Sequence, residues 1–283
     1  MKAGYVVLTY NRPDALLAVV KALAPQLQPG DVLVIADDGS RPDAVEAIER
    51  GLPPVPVRAM HVWHPDSGFT ASRARNLGAR AAHAQGADYL VFLDGDCIPN
   101  PHFANAHRSL AQPGWFVNGS RVLLDEALTQ QVVHGEVNLA AADATTWLSW
   151  RLAGRVNKLS HLVAWPGAPG RDQRSFQWKG IRSCNFGVWY RDFENVNGFD
   201  ETFSGWGHED ADLVLRLHHA GARRRNGWLA TEVFHLWHGD NDRAGESRNR
   251  SRVEERMQGQ RVRAERGLAE LGQRDDAIVS ALN

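Results

Sequence analysis

The sequence predicts an α/β fold, with a Rossmann-like, mostly parallel central sheet flanked by helices and a helical tail behind it. Three observations lead there. Short apolar runs alternate with helical stretches through the first 120 residues, the signature of parallel strands covered on both faces. The Tyr89–Leu93 run is continuously apolar rather than alternating, as in a strand buried on both sides. Three of the four runs end in polar residues, and an open α/β sheet binds its ligands at the carboxyl ends of its strands.

The elements follow in order. Tyr5–Thr9 reads as the first strand, and Pro13 opens a helix running toward Leu27, as proline at a first helical position does. Val32–Ala36 is the second strand, Asp43–Arg50 a helix, and Val57–Val62 the third strand. Ser72–Gln85 is a helix stopped by Gly86, and Tyr89–Leu93 is the fourth strand. From Leu123 to Lys179 the pattern loosens, and Trp147, Trp150, Trp165 and Trp178 lie among short helical stretches. Core packing accounts for such tryptophans, and a platform for an acceptor sugar is the sharper alternative. Asn185–Tyr190 reads as a strand and Arg191–Val196 as a short helix. A helix with Leu213, Leu217 and Ala220 on one face follows Gly207 and ends at Gly221, and Thr231–Trp237 reads as a strand. In the tail, Val253, Met257, Ala264, Leu268 and Leu271 recur at helical spacing, which predicts one amphipathic helix docked on the body or on a second copy of the chain. The expected organisation is therefore a domain over 1–242, with a nucleotide-binding half at 1–122 and an acceptor-binding half at 123–242, and a helical tail over 243–283.

Composition narrows the function classes. The 283 residues are 43% hydrophobic and include ten Trp, ample for a packed core. A formal net charge of −1 gives no global bias toward nucleic acid or membrane. Only Cys97 and Cys184 occur, which offers no disulfide framework and fits a reducing compartment. No signal peptide and no bilayer-length apolar stretch is visible. A cytoplasmic protein is expected, with peripheral contact at the inner face of the membrane left open.

The chemistry concentrates at three places. Asp94-Gly95-Asp96 closes the fourth strand with two carboxylates one residue apart. A hard divalent cation takes carboxylate oxygens and bridges phosphates, so the triplet suggests a metal–diphosphate site, although Asp-Gly alone is a common turn. Thr9-Tyr10-Asn11-Arg12 and Asp37-Asp38-Gly39-Ser40 end the first two strands and would converge on the same crevice. Acidic groups there can accept from a base N–H and ribose hydroxyls, and Arg12, Arg73 and Arg75 could meet phosphates. A helix cap explains Asp37 and Asp38 equally well. The second place is Gly205-Trp206-Gly207-His208-Glu209-Asp210. Two glycines let backbone approach a ligand, and Glu209 and Asp210 occupy a first helical turn, where a carboxylate is favoured. Acids are common at helix starts in any case, but that does not account for the Gly-Trp-Gly before them. The third is His235-Leu236-Trp237-His238, two imidazoles at a strand end able to complete the coordination of an Asp-bound ion.

Together these stretches resemble a known family. Val6-Val7-Leu8-Thr9-Tyr10-Asn11-Arg12, Asp37-Asp38-Gly39-Ser40, Ala74-Arg75-Asn76-Leu77-Gly78 and Asp94-Gly95-Asp96 are similar to successive motifs of family 2 glycosyltransferases of the GT-A fold. Asn197-Gly198-Phe199-Asp200 and Gly205-Trp206-Gly207-His208-Glu209-Asp210-Ala211-Asp212 resemble a block of β-1,4-galactosyltransferases and bacterial chondroitin-type polymerases. The resemblance implies that Thr9, Arg12 and Asp37 hold the nucleotide, with Asp38 and Asp94 near the ribose and Phe69 packed on the base. Tyr10, Asn76 and Gly95 belong to the same motifs and are assigned to the nucleotide site. Asp96 would ligate Mn²⁺ or Mg²⁺ with His238, and His235 stands where the galactosyltransferases have a Met ligand. Ala71 stands where they carry a basic residue, so Arg73 or Arg75 would serve the phosphates instead. Trp206, Gly207 and Asn185 would border the acceptor, Glu209 would bind a sugar hydroxyl, and Asp210 would be the base.

The expected activity is a metal-dependent, inverting transfer of a hexose or N-acetylhexosamine from a UDP-sugar to a hydroxyl of a glycan, lipid-linked or small-molecule acceptor. A sugar-nucleotide pyrophosphorylase would need a glycine-rich basic loop after the first strand, where Thr9-Tyr10-Asn11-Arg12-Pro13 stands. A catalytically inactive carbohydrate-binding relative is the non-enzymatic alternative, and retention of Asp94, Asp96, Asp210 and His238 together argues against it.

Overall fold

The computed structural model describes residues 1–239, 245–274 and 276–283. The boundary expected at 242 lies outside them. Four strands, β1 (Ala3–Thr9), β2 (Val32–Asp37), β3 (Arg58–Trp63) and β4 (Tyr89–Asp94), pair in parallel in the order β3-β2-β1-β4. The helices between them are α1 (Pro13–Leu23), α2 (Pro42–Gly51) and α3 (Ala71–Ala84). The expected first helix stops four residues early, and Ala24–Gln26 tightens into a 3₁₀ turn where Pro25 cannot donate to the helical ladder. β1 and β2 bury nearly every side chain, which is why their sequences carry no polar alternation.

The second half extends this sheet from the β4 edge. In chain order come β5 (Cys97–Pro99), α4 (Phe103–Leu110), β6 (Trp115–Asn118), β7 (Ser120–Leu123), α5 (Glu126–Val133) and α6 (Ala144–Leu152). Then follow β8 (Asp172–Gln173), β9 (Asn185–Trp189), α7 (Tyr190–Asn195), α8 (Glu209–His219), β10 (Arg223–Asn226), β11 (Glu232–His235), α9 (Glu246–Arg256) and β12 (Ile278–Ala281). β9 runs antiparallel to β4 and β6, and the main sheet reads β12-β3-β2-β1-β4-β9-β6-β10-β8. β5, β11 and β7 form a separate small sheet. Each face of the main sheet has its own apolar cluster. Leu16, Val20 and Leu23 of α1 pack on one, and Ala74, Leu77 and Leu217 of α3 and α8 on the other. Trp147 is core, stacked on Phe234 with ring centroids 5.0 Å apart. Trp178 lines the crevice described below, whereas Trp165 is 52% exposed.

The tail corrects the expectation of one amphipathic helix. α9 ends at Arg256, and Gly259 and Gly267 interrupt the apolar spacing that follows. At Gly267 the chain passes so close to Asn197 that a Cβ would stand 1.8 Å from its carbonyl oxygen. Val253, Ala264 and Leu271 are buried as the spacing predicts, but on successive short segments rather than one helix. The last segment is a strand, β12, antiparallel to β3. Buried ion pairs fasten the tail to the body. Arg256 meets Asp200 at 2.9 Å and also Asp212, while fully buried Arg216 binds Asp212 at 2.8 Å and the carbonyls of Val196 and Gly198. The expected Asn197-Gly198-Phe199-Asp200 block is thus the socket that holds α8 in register.

Candidate active site

The carboxyl ends of β1, β2 and β4 open into a crevice of about 1210 Å³. Two walls face it. The first rises from the turn after β4. Gly95 fits there because a Cβ would come within 2.6 Å of the Leu8 carbonyl oxygen. β11 lies beside the turn, with His235 registered against Cys97 and the Leu236 N–H donating to the Asp96 carbonyl at 2.9 Å. This places His238 Nε2 at 3.6 Å and His235 Nε2 at 3.8 Å from the Asp96 carboxylate, with Arg12 Nη1 at 3.8 Å on the same group. Burial lowers the His235 pKa, which keeps its imidazole neutral.

Asp96, Cys97 and His235 also offer ligand atoms within 4.8 Å of one another. Burial pushes the Cys97 thiol well up, so it stays protonated and is a poor ligand for a hard ion. A carboxylate and two imidazoles fit a divalent cation, and imidazole nitrogen favours a transition ion such as Mn²⁺ over Mg²⁺.

The opposite wall is the entry to α8. His208 adopts a left-handed φ of 69°, which turns the chain from Gly207 into the helix. Glu209 and Asp210 follow in its first turn. Burial, and then the neighbouring Glu209 charge, raise the Asp210 pKa to about 7. Arg75 spans the floor between the walls, bonding Asp94 at 2.8 Å and approaching Glu209 at 3.5 Å. α9 props the second wall from behind: the Asn249 side chain donates to Gly207 O at 3.0 Å, and Arg248 donates to Ser204 Oγ at 2.9 Å.

Most of the expected residues line this crevice: Thr9, Tyr10, Arg12, Asp38, Phe69, Arg75, Asp94, Gly95, Asp96, Trp206, Gly207, Glu209, Asp210, His235 and His238. Four of them carry buried polar atoms that make no hydrogen bond among the described residues, namely Thr9 Oγ1, Arg12 Nη1, Arg75 Nε and Glu209 Oε2. Buried polar atoms are rarely left orphaned, so these mark a ligand surface.

Four expected site residues lie elsewhere. Asp37 is fully buried beneath the crevice, meeting His61 Nε2 at 2.9 Å and accepting from the Ser40 N–H. Asn76 clamps α3 to Phe199 through both its backbone groups. Arg73 is buried against Asp276 of the tail. Asn185 is buried among His107, Ser120 and Thr231. Arg75 does line the crevice, with Nη1 and Nη2 directed at two carboxylates and Nε left without a hydrogen-bond partner among the described residues. A buried polar residue that braces a loop carries the same sequence signal as one that meets a ligand.

Sequence reasoning missed Asn11, which links the first two strand ends by accepting from Arg41 N–H and donating to Ser40 Oγ, both at 2.8 Å. It missed Asp66, which accepts from Tyr10 OH at 3.0 Å, and His64, 3.2 Å from Asp38. It also missed Arg121, Lys179, Arg182 and Arg250, all of which line the crevice. Those cations stand in stretches without a motif, so no local signal marks them.

Comparison with known proteins agrees with this geometry. Residues 5–123 match the family model described as glycosyl transferase family 2, and residues 172–238 match that described as the N-terminal domain of galactosyltransferase. Validoxylamine A glucosyltransferase of Streptomyces hygroscopicus subsp. limoneus is 30% identical over 233 residues, covering 76% of this chain and 48% of that protein. Hyaluronan synthase of Pasteurella multocida is 28% identical over 240 residues, covering 77% of this chain and 23% of that protein. The chain thus spans about half the length, or less, of these relatives. Among solved structures, S. aureus TarS 1-349 in complex with UDP-GlcNAc superposes with a TM-score of 0.60 at 14% identity, over 96% of this chain and 70% of that one. The mannosyltransferase PcManGT from Pyrobaculum calidifontis, in complex with GDP-Man and Mn²⁺, gives 0.52 at 14% identity, over 89% and 61%. With both sequence blocks matched in order and the sheet ends gathered on one crevice, this chain belongs to the family 2 glycosyltransferases and has the GT-A fold.

Proposed function

We propose that the chain transfers a hexose or N-acetylhexosamine, with inversion, from a nucleotide sugar to an acceptor hydroxyl. The observation that carries this is the pairing of the walls: a carboxylate with two imidazoles on one side, and a carboxylate poised near neutrality on the other. Asp96, His238 and His235 would hold a divalent ion, and a bound ion offsets charge on a leaving diphosphate. Arg12 adds a guanidinium N–H that makes no hydrogen bond among the described residues, 3.8 Å from Asp96. Asp210, with a pKa of about 7, takes the acceptor hydroxyl proton as the oxygen attacks C1 from the face opposite the leaving group. Glu209 presents an unbonded carboxylate oxygen to a sugar hydroxyl, and Arg75 fixes it relative to Asp94. Trp206 lines the same wall, where the acceptor would meet it. Phe69, 41% exposed, and Tyr10 offer aromatic surface to the base at the other end.

UDP is the nucleotide we propose, on the likeness to the galactosyltransferase block. A donor panel of UDP- and GDP-sugars with Mn²⁺, read by nucleotide release and by the anomeric configuration of the product, tests the reading. Release of UDP with inverted product is expected. Retention of configuration would remove the base role from Asp210, and absence of any release would favour a binding module. Among the described residues no helix is long and apolar enough to cross a membrane.

A further inference from the structure

Three cations that line the crevice, Arg121, Lys179 and Arg182, form no ion pair among the described residues, and the two arginines act on each other. Arg121 lies on β7 two positions before Leu123, which is registered against His235, so Arg121 shares a face of that sheet with Leu123 and both line the crevice. Arg182 precedes Ser183, whose backbone lies close enough to Asp210 to hold its pKa down, and Arg182 lines the crevice too. Neither guanidinium has an ion-pair partner among the described residues. By contrast, Arg12, Arg75 and Arg250 in the same crevice each meet a carboxylate.

The two also repel. Burial lowers the Arg182 pKa first and Arg121 lowers it further, with Cys184 and Asp210 opposing. Half-buried Lys158 is pushed down by burial, with Glu232 opposing and both arginines adding to the fall. A cluster of like charges that its counter-charges do not fully offset is unfavourable in the free protein, and a bound anion relieves it.

We propose that Arg121 and Arg182 form a seat for a negatively charged group, a carboxylate or a phosphate monoester, carried by the acceptor. The assignment to the acceptor follows from position and rests on the glycosyl-transfer reading. Arg182 adjoins Asp210, the group that meets the acceptor hydroxyl, whereas the donor diphosphate has Arg12 and the Asp96 wall. The seat would make acceptor charge a determinant of specificity: an acid sugar or phosphorylated sugar is taken, and its neutral counterpart is not.

The test uses the full chain and the variants Arg121→Gln, Arg182→Gln and the double variant, each with its melting temperature measured. UDP with Mn²⁺ is titrated first. Methyl β-glucuronide, glucose 6-phosphate and methyl β-glucoside are then titrated into the protein with and without UDP and Mn²⁺. The wild type should bind at least one anionic probe about tenfold or more tighter than the glucoside, consistent with hydrogen bonds to a charged group. The double variant should lose that preference while keeping UDP affinity within about twofold. The two anionic probes separate a carboxylate from a phosphate source. Equal binding of all three probes would overturn the seat, and so would a loss of UDP affinity in the variants, which would assign the arginines to the donor. Failure of UDP to bind the wild type would sink the glycosyl-transfer reading instead. In that case anion preference without nucleotide would uphold the seat, and its absence would overturn it.

Discussion

The two walls of the crevice are built by different means. The Asp96 wall hangs from strand ends: a glycine turn after β4, and β11 bonded to it, bring the carboxylate and both imidazoles together. The Asp210 wall is a helix entry reached through a left-handed His208 and held from behind by α9. Their electrostatics differ as well. Asp96 faces two imidazoles and a guanidinium, whereas half-buried Asp210 stands beside another carboxylate. A sheet end presents its residues by register alone, but a helix entry must be braced by chain from elsewhere.

The largest expected effects come from removing one wall's function at a time. Asp210→Asn should lower turnover by about 10²–10⁴-fold, the usual contribution of a general base, with UDP–Mn²⁺ binding little changed. Asp96→Ala should abolish turnover and weaken metal-dependent UDP binding. Rate measurements beside calorimetric titration of UDP with Mn²⁺ check the pair, and two variants with the same binding defect would dissolve the distinction between the walls.

The brace itself is next. Arg256 ties α9 to Asp200 and Asp212, and removing one partner of a buried pair costs roughly 3–5 kcal/mol. Arg256→Ala should therefore drop the melting temperature markedly. In the protein that remains folded, it should reduce turnover more than UDP–Mn²⁺ affinity, because α9 supports the Asp210 wall. Equal losses in both would show that the tail braces the whole crevice.

The smallest effect is the most diagnostic of charge. Asp210 must be ionised to accept a proton, so kcat/KM should fall as pH drops below about 7. Burial is the main cause of the raised pKa and the Glu209 charge the second. Glu209→Gln should therefore move this acid limb to lower pH by roughly half a unit to one unit, whatever it does to the maximum rate. Stability follows the opposite sense. The folded Asp210 binds its proton more tightly than the unfolded chain does, so its contribution is complete below about pH 4 and is lost as pH rises through about 7. Asp210→Asn, neutral throughout, should therefore gain on the wild type in thermal unfolding above pH 7.

The same contrast explains what the sequence revealed. The four parallel strands were legible because short, mostly apolar runs alternate with helical stretches, and the Asp96 wall was legible because it sits at their ends. The Asp210 wall was visible as a motif, but its brace was not. Helical spacing from Val253 to Leu271 describes a face, yet Gly259 and Gly267 break the helix that would carry it. Asp37, Arg73, Asn76 and Asn185 looked like ligand-binding residues because polar residues beside motifs read alike whether they bind substrate or stitch one loop to another. Arg121 and Arg182 went unseen for the converse reason: a cation without a motif is indistinguishable in sequence from a solvated one.

The pairing of β12 with β3 has a consequence for synthesis. Asn283 Oδ1 accepts from the Ala59 N–H at 2.9 Å, joining residues 224 positions apart. At about 5–20 residues per second, a ribosome needs roughly 10–45 seconds to deliver that partner after β3 has been made. Throughout that interval the β3 edge of the nascent sheet lacks its neighbour and can pair with another strand. A chaperone that covers this edge during translation would therefore raise the yield of soluble protein more than one acting after release.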